Sequence, residues 1–298
     1  MTAPYEPVPV SVLGRPRRGV RTRNSAFKMV LLGCVSTGVV ALAVLLAYVV
    51  TEGAPRLNLD LIQRFPSSLP GRAGARSAVF GTIWVIGLTA FFCLPVGLGA
   101  AVYLEEFADT NRWWNRLIEV NIQNLAAVPS IVYGILGLGF LVRGPGGLGP
   151  TVLAAALTLS LLVFPIVVIA SREAIRAVPS SIRLGALALG ATPWQAVRTQ
   201  ILPAAVPGIA TGSILALSRA IGEAAPLLLV GGITFITFNP RGLDSAFTVL
   251  PIQIFNWVSR PQAEFKVLAA AASVVLVAIL LAMNSVAIWL RNRYQRKW

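Results

Sequence analysis

The sequence predicts an all-α integral membrane fold with six transmembrane helices, and two observations carry that reading. Of 298 residues, 56% are hydrophobic and only 12% charged, with a mean hydropathy of +0.76. Soluble domains hold about 45–50% apolar and about 25% charged residues. In addition, six runs reach the roughly 20 apolar residues that a bilayer core demands. They are Met29 to Val50, Ala78 to Tyr103, Asn121 to Val142, Thr151 to Ala170, Pro207 to Gly231 and Val267 to Leu290. The same composition excludes a disordered chain, which needs low hydrophobicity and dense charge.

Taken in order, residues 1–28 read as a basic cytoplasmic tail, rich in Pro and Arg and suited to lie on anionic lipid. Residues 29–298 read as a single transmembrane domain. The first run is too long for a signal peptide, and Val49-Val50-Thr51-Glu52 offers no small-residue cleavage site, so it is read as a retained helix. Runs three and four are separated only by Gly144 to Pro150, a tight turn on one membrane face. Thr51 to Ser77 and Ile233 to Lys266 are the larger outside segments. The second contains Phe247 to Val258, interrupted by Pro251 and too short to span, which suggests an interfacial or re-entrant helix. Pro95, Pro129, Pro165 and Pro226 fall within spans and read as kinks. Trp84, Trp257, Trp289 and Tyr103 read as interfacial anchors. Ser130 and Tyr133 share a helix face, with packing the simpler reading than a polar path. Glu105, Glu106 and Asp109 read as a solvated face.

Orientation follows the Lys/Arg distribution. With the N-terminus inside, the cytoplasmic segments collect Arg15, Arg17, Arg18, Arg21, Arg23, Lys28, Arg112, Arg116, Arg172, Arg176, Arg183, Arg198, Arg291, Arg293, Arg296 and Lys297. Eight basic residues then lie outside, and Arg219 is left in a span. The formal charge of +14 is therefore topogenic, and nucleic acid is not an expected partner, since no basic stripe with interleaved aromatics occurs in a soluble segment. The chain has no histidine, which removes histidine acid–base chemistry and histidine metal sites. Cys34 and Cys93 sit apart inside apolar runs, and no metal is expected.

No GxxxxGK[ST] phosphate loop occurs, so no cofactor is expected on this chain. Energy for any transport must come from another subunit or an ion gradient. Between runs four and five, residues 171–204 contain two helix starts and a stop. Pro179 with Ser180-Ser181 opens one helix and Gly190 ends it. Thr192-Pro193-Trp194-Gln195 opens the next, with Thr192 as cap, Pro193 at the first helical position and Gln195 closing a capping box. Two short helices meeting at Gly190 make a knob; an ordinary amphipathic loop is the plainer alternative.

Gly190 followed by Leu202-Pro203 has the spacing of the EAA loop, the ATPase-coupling segment of ABC importer permeases. Leu184-Gly185-Ala186 stands where that motif has Glu-Ala-Ala, so the glutamate is missing. Pro95-Val96-Gly97-Leu98-Gly99-Ala100-Ala101-Val102-Tyr103-Leu104-Glu105-Glu106-Phe107 resembles the end of the second helix of phosphate importer permeases. Asn124-Leu125-Ala126-Ala127-Val128-Pro129-Ser130-Ile131-Val132-Tyr133-Gly134 resembles their third-helix signature. Ser218-Arg219-Ala220-Ile221-Gly222-Glu223-Ala224-Ala225-Pro226-Leu227-Leu228 resembles the fifth, with an ending similar to PstA rather than PstC. The resemblance runs from about Ala78 to the end. It implies a binding-protein-dependent permease of the MetI-like type with an EAA-like loop, set in the bacterial plasma (inner) membrane. It also implies a PstC-like second permease, a PstB-like ATPase dimer carrying ATP-Mg and a PstS-like phosphate-binding protein. By the same resemblance Ala186, Leu187, Gly190 and Ala191 would serve ATPase coupling.

Arg219 stands out without any family. It falls about twelve residues from either end of the fifth run, where an unpaired charge costs at least about 2.5–3.5 kcal/mol on insertion scales. Glu223 follows one turn later. The pair is either a helix clamp or a substrate contact in which Arg219 meets an anion such as phosphate, whose oxygens suit the guanidinium fork. Gly208, Gly212, Ala216, Ala220 and Ala224, four apart, form a row for close helix approach, against this chain's own helices or a partner permease. The rival functions are a permease for another oxyanion or small solute, a membrane-embedded lipid enzyme, and a structural or sensory membrane subunit without transport.

Overall fold

The computed structural model describes residues 18–294 except 110, 146 and 234; most of the expected basic tail, residues 1–17, lies outside the described residues. All regular elements among the described residues are helices. The chain divides into two compact units, Met1–Thr51 and Glu52–Trp298. Among the described residues the first holds helix α1 (Arg18–Gly53) up to Thr51, and the helix overruns the predicted apolar run at both ends. From Asn24 to Tyr48 its side chains are exposed. Thr37 donates its hydroxyl to the Gly33 carbonyl at 2.8 Å, so a polar group inside this apolar helix is satisfied locally.

The second unit begins with α2 (Leu59–Gln63) and α3 (Arg76–Val102), the latter ending in a π-turn, Tyr103–Phe107. Then come α4 (Trp113–Ala127), α5 (Ser130–Leu136, extended as π-helix to Val142) and α6 (Val152–Arg176). Two short helices follow, α7 (Ser180–Ala188) and α8 (Pro193–Ala196), the second running through Val197–Ile201 into α9 (Leu202–Ile221). The chain closes with α10 (Ala225–Leu229), α11 (Leu250–Val258) and α12 (Ala263–Tyr294). Five helical stretches are long and apolar enough to cross a membrane, and a sixth crossing arises if the bent pair α4–α5 counts as one.

Two predicted spans differ in form. The run Asn121 to Val142 is not one helix but two, meeting at 106°. Pro129 has no N–H and forces the preceding Val128 out of helical geometry, to φ −67° and ψ 131°. The carbonyl of Leu125 left open by this break accepts the Val128 amide at 3.1 Å and the Tyr133 hydroxyl at 2.8 Å. Tyr133, buried, therefore closes the break across it. The run Pro207 to Gly231 is likewise interrupted: α9 stops at Ile221 and a new turn starts at Ala225, with Pro226 in its first positions. Pro95 and Pro165, by contrast, stay inside continuous helices.

α6 is the central helix, packing against α3, α9, α4 and α5. Its start shows how backbone polarity is satisfied at the end of a buried helix. Thr151 caps the Ala154 amide, while the amides of Val152 and Leu153 donate to the carbonyls of Ser245 and Leu243 at 3.0 and 2.9 Å. The loop before α11 thus folds back as a cap. A short helix, α11, does form within Phe247 to Val258, with Pro251 in its first turn rather than interrupting it. Its leading amide, Leu250, donates to the Thr82 hydroxyl of α3 at 2.9 Å. Trp257 is fully buried among Leu61, Leu250, Phe265 and Leu268, so it is a core residue and not an interfacial anchor.

Gly208 and Gly212 face α6. A methyl built on Gly208 would come within 2.7 Å of the Ala174 Cβ, and one on Gly212 would collide with Ala170. This settles the alternative for those members of the small-residue row: they pack against this chain's own α6.

Candidate functional site

The break between α9 and α10 holds the charged pair singled out in the sequence. Arg219 is in the last turn of α9, not in mid-helix, because Gly222 closes the helix through its amide to the Arg219 carbonyl at 3.1 Å. A cation in the last turn faces the negative end of the helix dipole, a stabilising position. Glu223 lies on the unwound stretch, its amide bonded to the Ala220 carbonyl at 3.2 Å. Arg219 Nε reaches Glu223 Oε1 at 3.5 Å, a long contact, with Arg219 49% and Glu223 17% exposed in their side chains. Among the described residues Glu223 is the one hydrogen-bond partner of Arg219, so the terminal nitrogens of the fork are open. The two chain breaks lie close together: a methyl built on Gly134, just after Pro129, would come within 2.7 Å of the Pro226 Cα. Behind Arg219, Ser218 donates to Asn284 of α12 at 2.8 Å. Sequence reading passed over Asn284, although a lone Asn deep in an apolar run is itself a signal for an interhelical hydrogen bond.

The second site is the knob, α7 and α8. Gly190 adopts φ +85° and the capping pattern around it is complete. The Gly190 amide donates to the Leu187 carbonyl at 3.0 Å and the Ala191 amide to the Ala186 carbonyl at 3.1 Å, the two bonds of a Schellman stop. Ala186, Leu187, Gly190 and Ala191 are thus one hydrogen-bonded unit. The next helix opens with the expected capping box, Thr192 amide to Gln195 Oε1 at 2.8 Å and Gln195 amide to Thr192 Oγ1 at 3.3 Å. α7 buries none of its residues. Leu184, Leu189 and Trp194 are exposed, Leu189 at 91%, so the knob presents an apolar tip.

The expectation that Glu105 and Glu106 form a solvated face fails. Their side chains are 14% and 5% exposed. Glu105 pairs with Arg176 at 2.9 Å and Arg172 at 3.4 Å, Arg172 also pairs with Glu119 at 3.0 Å, and Glu106 pairs with Arg183. Burial of a carboxylate demands such partners. Asp109 alone is exposed as expected, paired with Arg112 at 3.6 Å. These partners are up to 77 residues apart, and nothing in local sequence announces them. Among the described residues no group of three His, Cys, Asp or Glu could hold a metal.

The described residues thus form a helical bundle with two interrupted apolar spans and an exposed two-helix knob. The chain belongs to the family described as binding-protein-dependent transport system inner membrane component, whose profile matches residues 93–298. It is an ABC transporter permease subunit, a membrane component and not an enzyme. It is 32% identical to the probable ABC transporter permease protein YqgI of Bacillus subtilis, over 89% of this chain and 93% of that one. It is 31% identical to the phosphate transport system permease protein PstA 1 of Mycobacterium tuberculosis, over 73% and 70%. Its fold is that of a chain in the crystal structure of a bacterial alginate ABC transporter in complex with alginate pentasaccharide-bound periplasmic protein. There the TM-score is 0.67 at 16% identity, covering 94% of this chain and 98% of that one.

Proposed function

We propose that this permease carries phosphate, as the PstA-type subunit of an ATP-driven importer. The observation that bears most weight is the loosely held Arg219 at the end of α9, whose open fork suits the bidentate recognition of a tetrahedral oxyanion. Glu223 keeps the guanidinium in place when the site is empty and yields it when phosphate arrives. Relatives named as phosphate permeases support the substrate.

A PstC-like subunit supplies the other half of the path, and a PstS-like protein delivers phosphate from outside. A PstB-like ATPase dimer binds the knob through Leu184, Leu189, Trp194 and the unit Ala186, Leu187, Gly190 and Ala191. Both termini and the knob lie in the cytoplasm, and the loop before α11 lies outside, in keeping with the Lys/Arg distribution. ATP drives transport insofar as the closed ATPases favour one arrangement of the helices by differential contacts at the knob.

The test is radiolabelled phosphate uptake in phosphate-limited cells with and without this chain. Equal uptake would overturn the phosphate reading. Uptake that unlabelled sulfate or molybdate suppresses better than phosphate would assign the path to another oxyanion.

A further inference from the structure

The π-turn Tyr103–Phe107 at the end of α3 touches both halves of the knob. Glu106 pairs with Arg183 of α7, and the Phe107 ring lies 6.4 Å from the Trp194 ring of α8. The neighbouring Glu105 faces the other way, to Arg172 and Arg176 of α6, and Arg172 continues to Glu119 of α4. Successive side chains on a helical turn point in different directions around its axis, so two successive acids can serve two bodies. One glutamate holds the turn to the bundle; the next holds the knob.

α7 has no buried side chain to fix it by packing, so its position depends on few contacts. Glu106, almost fully desolvated, has Arg183 as its one ion partner among the described residues. Loss of that cation leaves a buried carboxylate uncompensated. Arg183 also carries a buried Nε without a hydrogen-bond partner, so its hold rests on Glu106. Beside the bundle half of this network lies a cavity of about 290 Å³ lined by Leu104, Asn115, Arg116, Glu119 and Arg172. On the knob side the tie is direct, through the Glu106–Arg183 pair and the Phe107 and Trp194 rings.

We propose that Glu106 and Arg183 are positioning residues that transmit displacement of the knob into α3, with Glu105 passing it to α6. This rests on the reading of the knob as the ATPase dock.

The test uses the assembled transporter in liposomes, with labelled inorganic phosphate, and reads phosphate moved per ATP hydrolysed. Arg183→Gln and Glu106→Gln should lower that ratio about tenfold, within the 5–150-fold range of ordinary coupling energies, with ATPase still bound. The exchange Glu106→Arg with Arg183→Glu should recover most of the loss. A second readout needs no substrate: spin labels at Ser180 and Val96, both exposed, should keep their distance between nucleotide states in the native protein. In Arg183→Gln that distance should change, because the knob moves without α3. Glu106→Gln strands no buried charge and leaves Arg183, 38% exposed, able to reach water, so it should assemble and give the same lowered ratio and changed distance even if Arg183→Gln does not. A normal ratio and a constant label distance in Arg183→Gln would overturn the proposal. Leu189→Asp separates the two readings, since it should release the ATPase if the knob is the dock. Retention of a coupled ATPase there would sink the docking reading, whereas release there with normal Arg183→Gln would sink this inference alone.

Discussion

Gly190 offers a perturbation whose cost can be worked out from backbone alone. Its φ is +85°, and a Cβ built there meets no atom within 4 Å. Steric crowding therefore contributes nothing, and the penalty for a side chain is that of the left-handed conformation, about 1–2 kcal/mol for an L-residue. Valine exceeds alanine because β-branching worsens the clash with its own backbone. The strain is relieved by giving up the bonds from Gly190 to Leu187 and from Ala191 to Ala186, which dissolves the stop between α7 and α8. A loss of 1–2 kcal/mol lowers the population of the native knob by about 5–30-fold. Proline is excluded outright, since its ring fixes φ near −65°. Gly185 is the internal control. It lies in α7, also with nothing within 4 Å of its Cβ position but without a positive φ, so Gly185→Ala should strengthen the helix by about 0.5–1 kcal/mol. The assay is ATP hydrolysis and phosphate uptake by the reconstituted transporter at matched protein level. Gly190→Val and Gly190→Pro should hydrolyse ATP without matching uptake, and Gly185→Ala should transport normally. Normal ATP-driven uptake by Gly190→Val would refute the reasoning, as would equal damage from Gly185→Ala.

Arg219→Gln should abolish phosphate uptake while the transporter still assembles, with Arg219→Lys rescuing poorly because an ammonium has no planar fork. The pair is long and half exposed, worth about 0–1 kcal/mol to stability. The double change Arg219→Gln with Glu223→Gln should therefore assemble but not transport, and near-normal uptake by it would leave Arg219 as a helix clamp. Tyr133→Phe removes one of two donors to the Leu125 carbonyl and should cost about 0.5–1.5 kcal/mol, read as a lower melting temperature of the purified transporter; an unchanged value would mean that the Val128 amide suffices. Cysteine at Ser180 should label from the cytoplasm. Ser245, the outside probe the sequence suggests, accepts the Arg241 and Gly242 amides, so the exposed Asp244 is the better site. Labelling of both from one side would mean a miscounted span.

Apolar runs and local capping chemistry were legible in the sequence because each is decided within a few residues. Thr192 and Gln195 announce their capping box, and Gly190 its stop, without help from the rest of the chain. Pro129 and Gly222-Glu223 were visible too, yet their consequence was misjudged. Hydropathy counts residues and is blind to whether the backbone stays helical, so a 22-residue run and a pair of helices at 106° look alike. Glu105 and Glu106 show the opposite limit. A charged doublet at the end of a span reads as solvated, and only the arrival of Arg172, Arg176 and Arg183 from distant sequence buries it. The charged pair at 219 and 223 was found for its cost in a membrane, while its place at a helix end was not foreseen.

The seams around α6 decide what kind of motion this subunit can make. Gly97 meets Val167 of α6, where a methyl would come within 2.8 Å, and Gly208 and Gly212 meet Ala174 and Ala170 as closely. Sliding one packed helix along another, the shear mode, requires side chains to trade partners across an interface with some slack. Here backbone sits on methyl groups, and a shift of one residue would drive a larger side chain into a place that accepts only hydrogen. Contacts this close resist sliding of α3 and α9 along α6, so the places left to act as hinges are the two interruptions of helical backbone, Val128-Pro129 and Gly222–Ala224. Spin labels across α6 and α9 should hold their separation through the transport cycle, while labels across either hinge should not. The second of these joints and the charged pair are the same stretch of chain, so a solute seated on Arg219 would also stiffen a joint that must flex to let it go.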